Sequence, residues 1–222
     1  MATPGPARRL SESAVLDAAF AVVAEHGFDA LSIRRVASAL GVSPNALYTY
    51  VADRADLLRG MVERVMAAID LSALETTTLS PADRLEQFAV EMRRTLLGHP
   101  GGAALIMTGP IDGPHSLLLN EALLRTVVDA GYSLDDAARA SYSLQVYVLG
   151  TVMLEAADGG TGDPEREEAL AVERRAALEH VDASGVPLTA QTADIVARYN
   201  TTEQFRWGIR RLIDGMLTTP SS

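Results

Sequence analysis

Apolar residues recur along this chain every three or four positions almost from end to end, the period of a helix buried on one side. Residues 11–26, SESAVLDAAFAVVAEH, place Val15, Ala18, Ala19, Val22 and Val23 on one stripe, with Ser11 as N-cap and Gly27 as stop. Phe28 and Leu31 seal the junction to the next helix. Ser32 then caps a short helix carrying Ile33, Val36, Ala37 and Leu40, and Gly41 stands where a helix end needs positive φ. Ser43 opens a second short helix with Pro44 at its first position, where the missing N–H costs nothing. Val42 and Leu47 point inward, which leaves Asn45, Tyr48, Thr49 and Tyr50 near the exposed side. Asp53 caps a longer helix to about Glu75, with Leu57, Leu58, Met61, Val65 and Ile69 inward.

The rest of the chain repeats the same period. Ser80 and Pro81 open a helix to Gly98 that carries Leu85, Phe88, Met92 and Leu96. Breaks at 99–102 and 109–114 flank a short apolar helix, and a further helix runs from 116 to 130. Leu134 to Ala157 is long and apolar nearly all round, so the pattern predicts burial on several sides. One side serves the core; the other suits a second copy of the chain, and Gly150 permits close approach. Residues 158–164 and 184–189 read as loops, and 165–181 as an exposed, charged helix. A last helix begins near Ala190 or Thr201 and ends at Met216, with Phe205, Ile209, Leu212 and Ile213 inward. No strand pattern and no internal repeat is present, so the fold class is all-α.

Two short helices about a glycine turn, the second polar and aromatic, describe a helix-turn-helix, whose second helix enters the major groove of DNA. A purely structural helical hairpin has the same period. The residue identities favour DNA: Tyr48 and Tyr50 are too large for so short a helix to bury both, and Arg34 and Arg35 lie where they do not serve a helix C-terminus. Guanidinium and phenol groups on one face suit phosphate and base-edge contacts. Residues 1–10 read as a flexible arm, either a plain tail or one whose Arg8 and Arg9 reach backbone or minor groove.

Charge first looks wrong for this reading, since the 222-residue chain carries a net charge of −10. The distribution matters more than the total. Residues 1–70 hold 7 Arg against 8 acids, whereas residues 71–222 hold 12 Arg against 21 acids. The head is thus near neutral, which predicts modest non-specific affinity and few phosphate contacts per subunit. Cysteine is absent, which excludes disulfides and thiolate metal sites. No uncharged apolar run is long enough for a membrane span, and the N-terminus lacks a signal-like apolar region, so a soluble cytoplasmic protein is expected.

The stretch VLDAAFAVVAEHGFDALSIRRVASALGVSPNALYTYVADRADLL, Val15 to Leu58, resembles the DNA-binding head of the TetR family of bacterial transcriptional repressors. HPGGAAL, EALLRTVVDAGYSLDDAARA, YVLGTVMLE and EQFRWGIRRLIDGML, in that order, resemble the tetracycline-repressor type of regulatory domain. The resemblance implies a three-helix DNA-binding domain at 11–52, a connecting helix at 53–75, and a larger helical domain at 76–222 that dimerises and holds a small ligand. It implies a repressor that binds a palindromic operator as a homodimer and is released by a small-molecule inducer. Position by position, Arg34 matches a base-contacting arginine, and Pro44 and Asn45 match base-touching positions at the front of the recognition helix. Tyr48 matches a DNA-contacting tyrosine; Tyr50 and Arg54 match phosphate-contacting positions. Pro44, Asn45 and Thr49 depart from residues usual there, so the operator should differ.

Ligand-binding candidates lie in the middle helices: His99, Leu105, Met107, His115, Asn120, Tyr142, Gln145, Tyr147 and Met153. Methionines and aromatics at helical spacing also fit a plain core. The glycine-rich breaks suit hinges around a pocket mouth. His99 and His115 lack a supporting ligand cluster, so no metal and no cofactor is expected. An enzyme is the opposing class, but HExxH, GxSxG and a phosphate-binding glycine loop are all missing. Gly159-Gly160-Thr161-Gly162 has no strand before it and no Lys after it, and Glu165, Glu167, Glu168, Glu173 and Glu179 read as a solvated face. The remaining alternative is a helical ligand-binding or dimerising protein without DNA binding.

Overall fold

Ser11 accepts a hydrogen bond from the Ala14 N–H at 3.2 Å and so starts helix α1, Glu12–His26. The structure, a computed structural model, describes residues 10–99, 101–180 and 184–218. All of the arm but Leu10 lies outside the described residues, Arg8 and Arg9 included, as does Pro100. Among the described residues all regular structure is helical.

After a 3₁₀ turn at Phe28–Ala30 come α2, Ile33–Leu40, and α3, Pro44–Leu47. Gly41 takes φ 67°, and the Gly41 and Val42 N–H groups close α2 onto Ser38 and Ala37 carbonyls. Only a residue at ease in the left-handed region fits there. Helix α4, Arg54–Ala67, then leads away from the head. The expected single helix to Glu75 is broken: Asp70 accepts from the Ser72 N–H at 2.9 Å and turns the chain into a short α5, Ser72–Glu75. Ile69 and Leu74 are both buried across that turn, so the apolar period runs through it and conceals the break.

The body is built from α6, Pro81–Leu97; α7, Gly102–Thr108; α8, Pro114–Asp129; α9, Leu134–Ala157; and α10, Pro164–Leu178. It closes with α11, Pro187–Gln191; α12, Ala193–Ala197; and α13, Thr202–Met216. The expected loop at 184–189 thus already contains the start of α11. Helix α6 packs on α9 and α13, α8 packs on α9, and α4 packs on α7 and α8. One continuous apolar cluster runs from Val15 in α1 to Ile213 in α13, so head and body share their packing.

Two expectations change. Helix α9 buries Ala137, Leu144, Val148 and Val152 but leaves Tyr142, Val146, Met153 and Leu154 exposed, so a single chain covers only one of its sides. Helix α10 is not wholly a solvated face, because Glu167 is buried with Leu170 and Ala171. Glu167 and Glu155 both hold Arg93, which is 2% exposed, at 2.8 and 2.7 Å. Thr202 adds a hydroxyl at 2.9 Å from Arg93 Nη1, and the guanidinium lies 5.4 Å from the Phe205 ring centroid. Burial pushes the Glu155 carboxyl up against the pull of Arg93. For Glu167 burial acts the same way, but hydrogen bonds from Thr202 and Arg93 prevail and hold it down. This network ties α6, α9, α10 and α13 together at four otherwise separate points of the chain.

Candidate DNA-binding face and ligand cavity

Leu47 is wholly buried and anchors α3 to the head core, which turns the opposite side of this one-turn helix outward. Pro44 and Asn45 on that side, and Tyr48 and Thr49 in the turn just beyond the helix, are all exposed, Tyr48 at 54%. Arg34 is exposed on neighbouring α2, which packs against α3. The structure therefore brings five of the seven sequence-chosen DNA residues onto open surface without a competing side-chain hydrogen bond or ion pair among the described residues. The other two are partly engaged. Tyr50 is half-buried and its hydroxyl donates to the Leu10 carbonyl at 2.8 Å, so it pins the segment entering α1 rather than standing free. Arg54 Nε donates to the Leu31 carbonyl at 3.1 Å, which fixes the stem of an otherwise exposed guanidinium. Asp53 caps α4 by accepting from Asp56 N–H, and Asp56 in turn accepts from Ala52 N–H, so the start of α4 is held from both directions.

Helix α4 then grips the body through two side chains one turn apart. Arg59 donates to both carboxylate oxygens of Asp112, at 2.9 and 3.3 Å. Glu63 accepts from the backbone N–H groups of His115 and Ser116, at 2.7 and 3.1 Å, and from the Ser116 hydroxyl at 2.7 Å. Helix α8 begins Gly113-Pro114 with no side-chain cap of its own, so a carboxylate from another helix satisfies its orphan donors. Partial burial pulls the Glu63 carboxyl up, but the Ser116 hydroxyl and the two backbone donors outweigh it and hold it below the usual carboxylate range. The approach is close: a Cβ on Gly113 would lie 2.2 Å from Glu63 Cδ, and one on Gly109 would lie 2.7 Å from a Val62 methyl. Nothing in the sequence around Glu63 singles it out, although an uncapped Gly-Pro helix start is a visible sign that a partner is needed.

Behind Ser116 lies a cavity of about 400 Å³ between α4, α7, α8 and α9. Half-buried Gln145 lines it, with apolar residues such as Met66, Ile106, Leu124 and Leu149, while Asn120 and Tyr142 line it from exposed positions, so the burial that would single out Asn120 as a buried amide is absent. His99 and Met153 line a second cavity of about 540 Å³, where Gly101 and Gly102 meet Gly159 and Gly160. The remaining ligand candidates are placed elsewhere. Leu105 is core, Met107 is exposed, and Tyr147 packs on Phe205 with ring centroids 5.6 Å apart. His115 sits on Glu63, its Nδ1 at 3.1 Å from the carboxylate. Among the described residues no cluster of three or more metal-ligating His, Asp or Glu side chains occurs. The apolar lining residues are not separable in the sequence from core positions, because both carry the same period.

Fold and site define a helix-turn-helix transcriptional regulator with a helical ligand-binding body. The chain belongs to the tetR family of bacterial regulatory proteins, whose family profile matches residues 15–61. The profile described as "Tetracyclin repressor-like, C-terminal domain" matches residues 76–219. An "HTH-type transcriptional regulator" of Saccharopolyspora erythraea is 28% identical, the match covering 95% of this chain and 86% of that one. The "Tetracycline repressor protein class E" of Escherichia coli is 29% identical, over 93% and 90% of the two chains. The crystal structure of a possible TetR family transcriptional regulator from Streptomyces coelicolor A3(2) superposes with TM-score 0.77 and 31% identity, over 94% and 99%. These relatives favour a DNA-binding, ligand-responsive regulator over a helical protein without DNA binding. The family is one of regulators rather than enzymes, and no described helix is long and apolar enough to cross a membrane.

Proposed function

We propose that this protein is a repressor that binds a palindromic operator as a homodimer and is released when a small molecule fills the cavity beside Ser116. The reading rests most on one observation: Leu47 is fully buried while Pro44, Asn45, Tyr48 and Thr49 stand exposed on the same turn, with Arg34 alongside. Arg34, Pro44 and Asn45 read base edges, while Tyr48, Thr49 and Arg54 contact backbone and Tyr50 sets the angle of α1. Residues 11–52 form the DNA-binding domain, 53–75 the connection, and 76–222 the ligand-binding and dimerising domain. The exposed side of α9 around Gly150, Met153 and Leu154 pairs with a second copy, with α13 beside it. The protein works in the cytoplasm and carries no catalytic role.

The ligand acts through the connection. Ser116 both lines the cavity and holds Glu63 of α4, so a ligand that moves the start of α8 moves α4 and the head with it. Ligand and operator then favour different conformations, and each weakens the other's binding by the same factor. The test is an electrophoretic shift on the DNA upstream of the protein's own gene, against scrambled competitor at physiological salt. A specific shift at two protomers per site is expected; equal affinity for scrambled DNA would overturn the proposal.

A further inference from the structure

The lining of the cavity beside Ser116 contains no charged side chain: its polar groups belong to Ser116, Asn120, Tyr142 and Gln145. Ile111, Leu117, Asn120, Tyr142 and Val146 leave its mouth open to water, so a carboxylate, phosphate or ammonium would give up part of its hydration there and gain no counter-charge, a cost that a neutral ligand avoids. The Glu63 carboxylate, bonded to the lining residue Ser116, is already occupied by three donors there.

The polar groups are also set in one direction. Gln145 Nε2 donates to the Ser141 carbonyl at 3.3 Å and to the Ser141 hydroxyl at 3.1 Å. A carbonyl only accepts, so the Gln145 amide must turn its nitrogen toward Ser141 and its oxygen away. The Ser141 hydroxyl, having accepted from Gln145, donates a hydrogen bond to Asn120 Oδ1 at 3.1 Å. That leaves the Asn120 NH₂ group and the Gln145 carbonyl oxygen without a hydrogen-bond partner among the described residues. Both residues line the largely apolar cavity, so its lining holds one unused donor and one unused acceptor.

We infer that the ligand of this cavity is an uncharged, mainly apolar molecule with an acceptor next to a donor, as in an amide, a lactam or a hydroxyketone. The inference rests on the proposal that this cavity is the inducer site. At about 400 Å³ the space falls within the usual range for small-molecule sites, and it admits two fused rings bearing one such group. The acceptor meets Asn120 Nδ2, the donor meets Gln145 Oε1, and the rings lie against Ile106, Leu124 and Leu149.

Three probes on one ring system separate the contributions: 2-naphthamide, 2-naphthoate and 2-methylnaphthalene, each measured by equilibrium dialysis with the full-length dimer at neutral pH. The amide should bind at least about tenfold more tightly than the carboxylate. Replacing Asn120→Leu and Gln145→Leu together should bring the amide level with 2-methylnaphthalene while leaving the latter unchanged. Ala138→Trp, at an exposed position on the lining, should weaken all bound probes without disturbing the fold. Carboxylate binding equal to or tighter than amide binding would overturn the inference while leaving the cavity as the ligand site. Binding of no probe, or binding indifferent to Ala138→Trp, would overturn the assignment of the cavity and the inference with it.

Discussion

Arg34 and Arg93 show how differently one side chain can be used in this protein. Arg34 is exposed and has no side-chain bond among the described residues, so its removal should cost the fold little and the operator complex much. Arg34→Ala should lose about 1–3 kcal/mol of specific operator affinity and less on random DNA, measured as paired titrations. Equal loss on both would make Arg34 a phosphate contact only. Arg93 is the reverse case. Arg93→Ala leaves Glu155 and Glu167 buried without their cation, and should lower unfolding free energy by about 3–5 kcal/mol in urea titrations. A loss below about 1 kcal/mol would show that water already reaches the pair. The exposure of the candidate DNA residues is legible because a one-turn helix with one buried position leaves the others outside. Glu167 is not legible, because five glutamates between 165 and 179 look alike in sequence and only the fold brings Arg93 to one of them.

Among the elements, α4 carries the connection, and its contact with α8 is the piece absent from the sequence pattern. Helix starts are readable wherever a cap and an apolar stripe coincide, as at Ser11, Ser32 and Ser80. The turn at Asp70 is hidden because burial continues across it, and the Glu63 clamp because its partners are 52 and 53 residues away. Glu63→Gln keeps the shape but removes the charge that caps α8. Its cost to thermal stability should be clear at pH 7 and fade under acid. The folded carboxyl lies below the usual range, about 4.3 for a free glutamate, so its contribution is present above that pH and is lost as pH falls through the folded value. Melting curves of both proteins across pH 3–8 check this; a gap that does not narrow in acid would remove the charge from the explanation. The same variant should bind inducer yet respond less in DNA release, since the cavity is kept and the coupling loosened.

At the scale of the whole molecule, two heads must be held at a fixed separation for two half-sites. On the proposed pairing the exposed apolar side of α9 does this, and its extent follows from a helix that is apolar on more sides than one chain covers. Nothing lies within 4 Å of a Cβ placed on Gly150, so Gly150→Arg should leave the single chain intact while blocking close approach of a partner. Sedimentation should then report monomers, and operator affinity should fall although the DNA-binding face is untouched; an intact dimer would move the interface elsewhere. The overall order of head, connection and body is legible in the apolar period, whereas the pairing of two chains is legible only as a surplus of apolar surface. The most direct test of the central claim is selection of bound sequences from a pool of randomised duplex DNA, followed by sequencing. Enrichment of one palindrome with half-sites about one helical turn apart, roughly 34–36 Å, and its loss with Arg34→Ala, is the predicted result. Recovery of unenriched DNA would contradict it and remove the operator from the function of this protein.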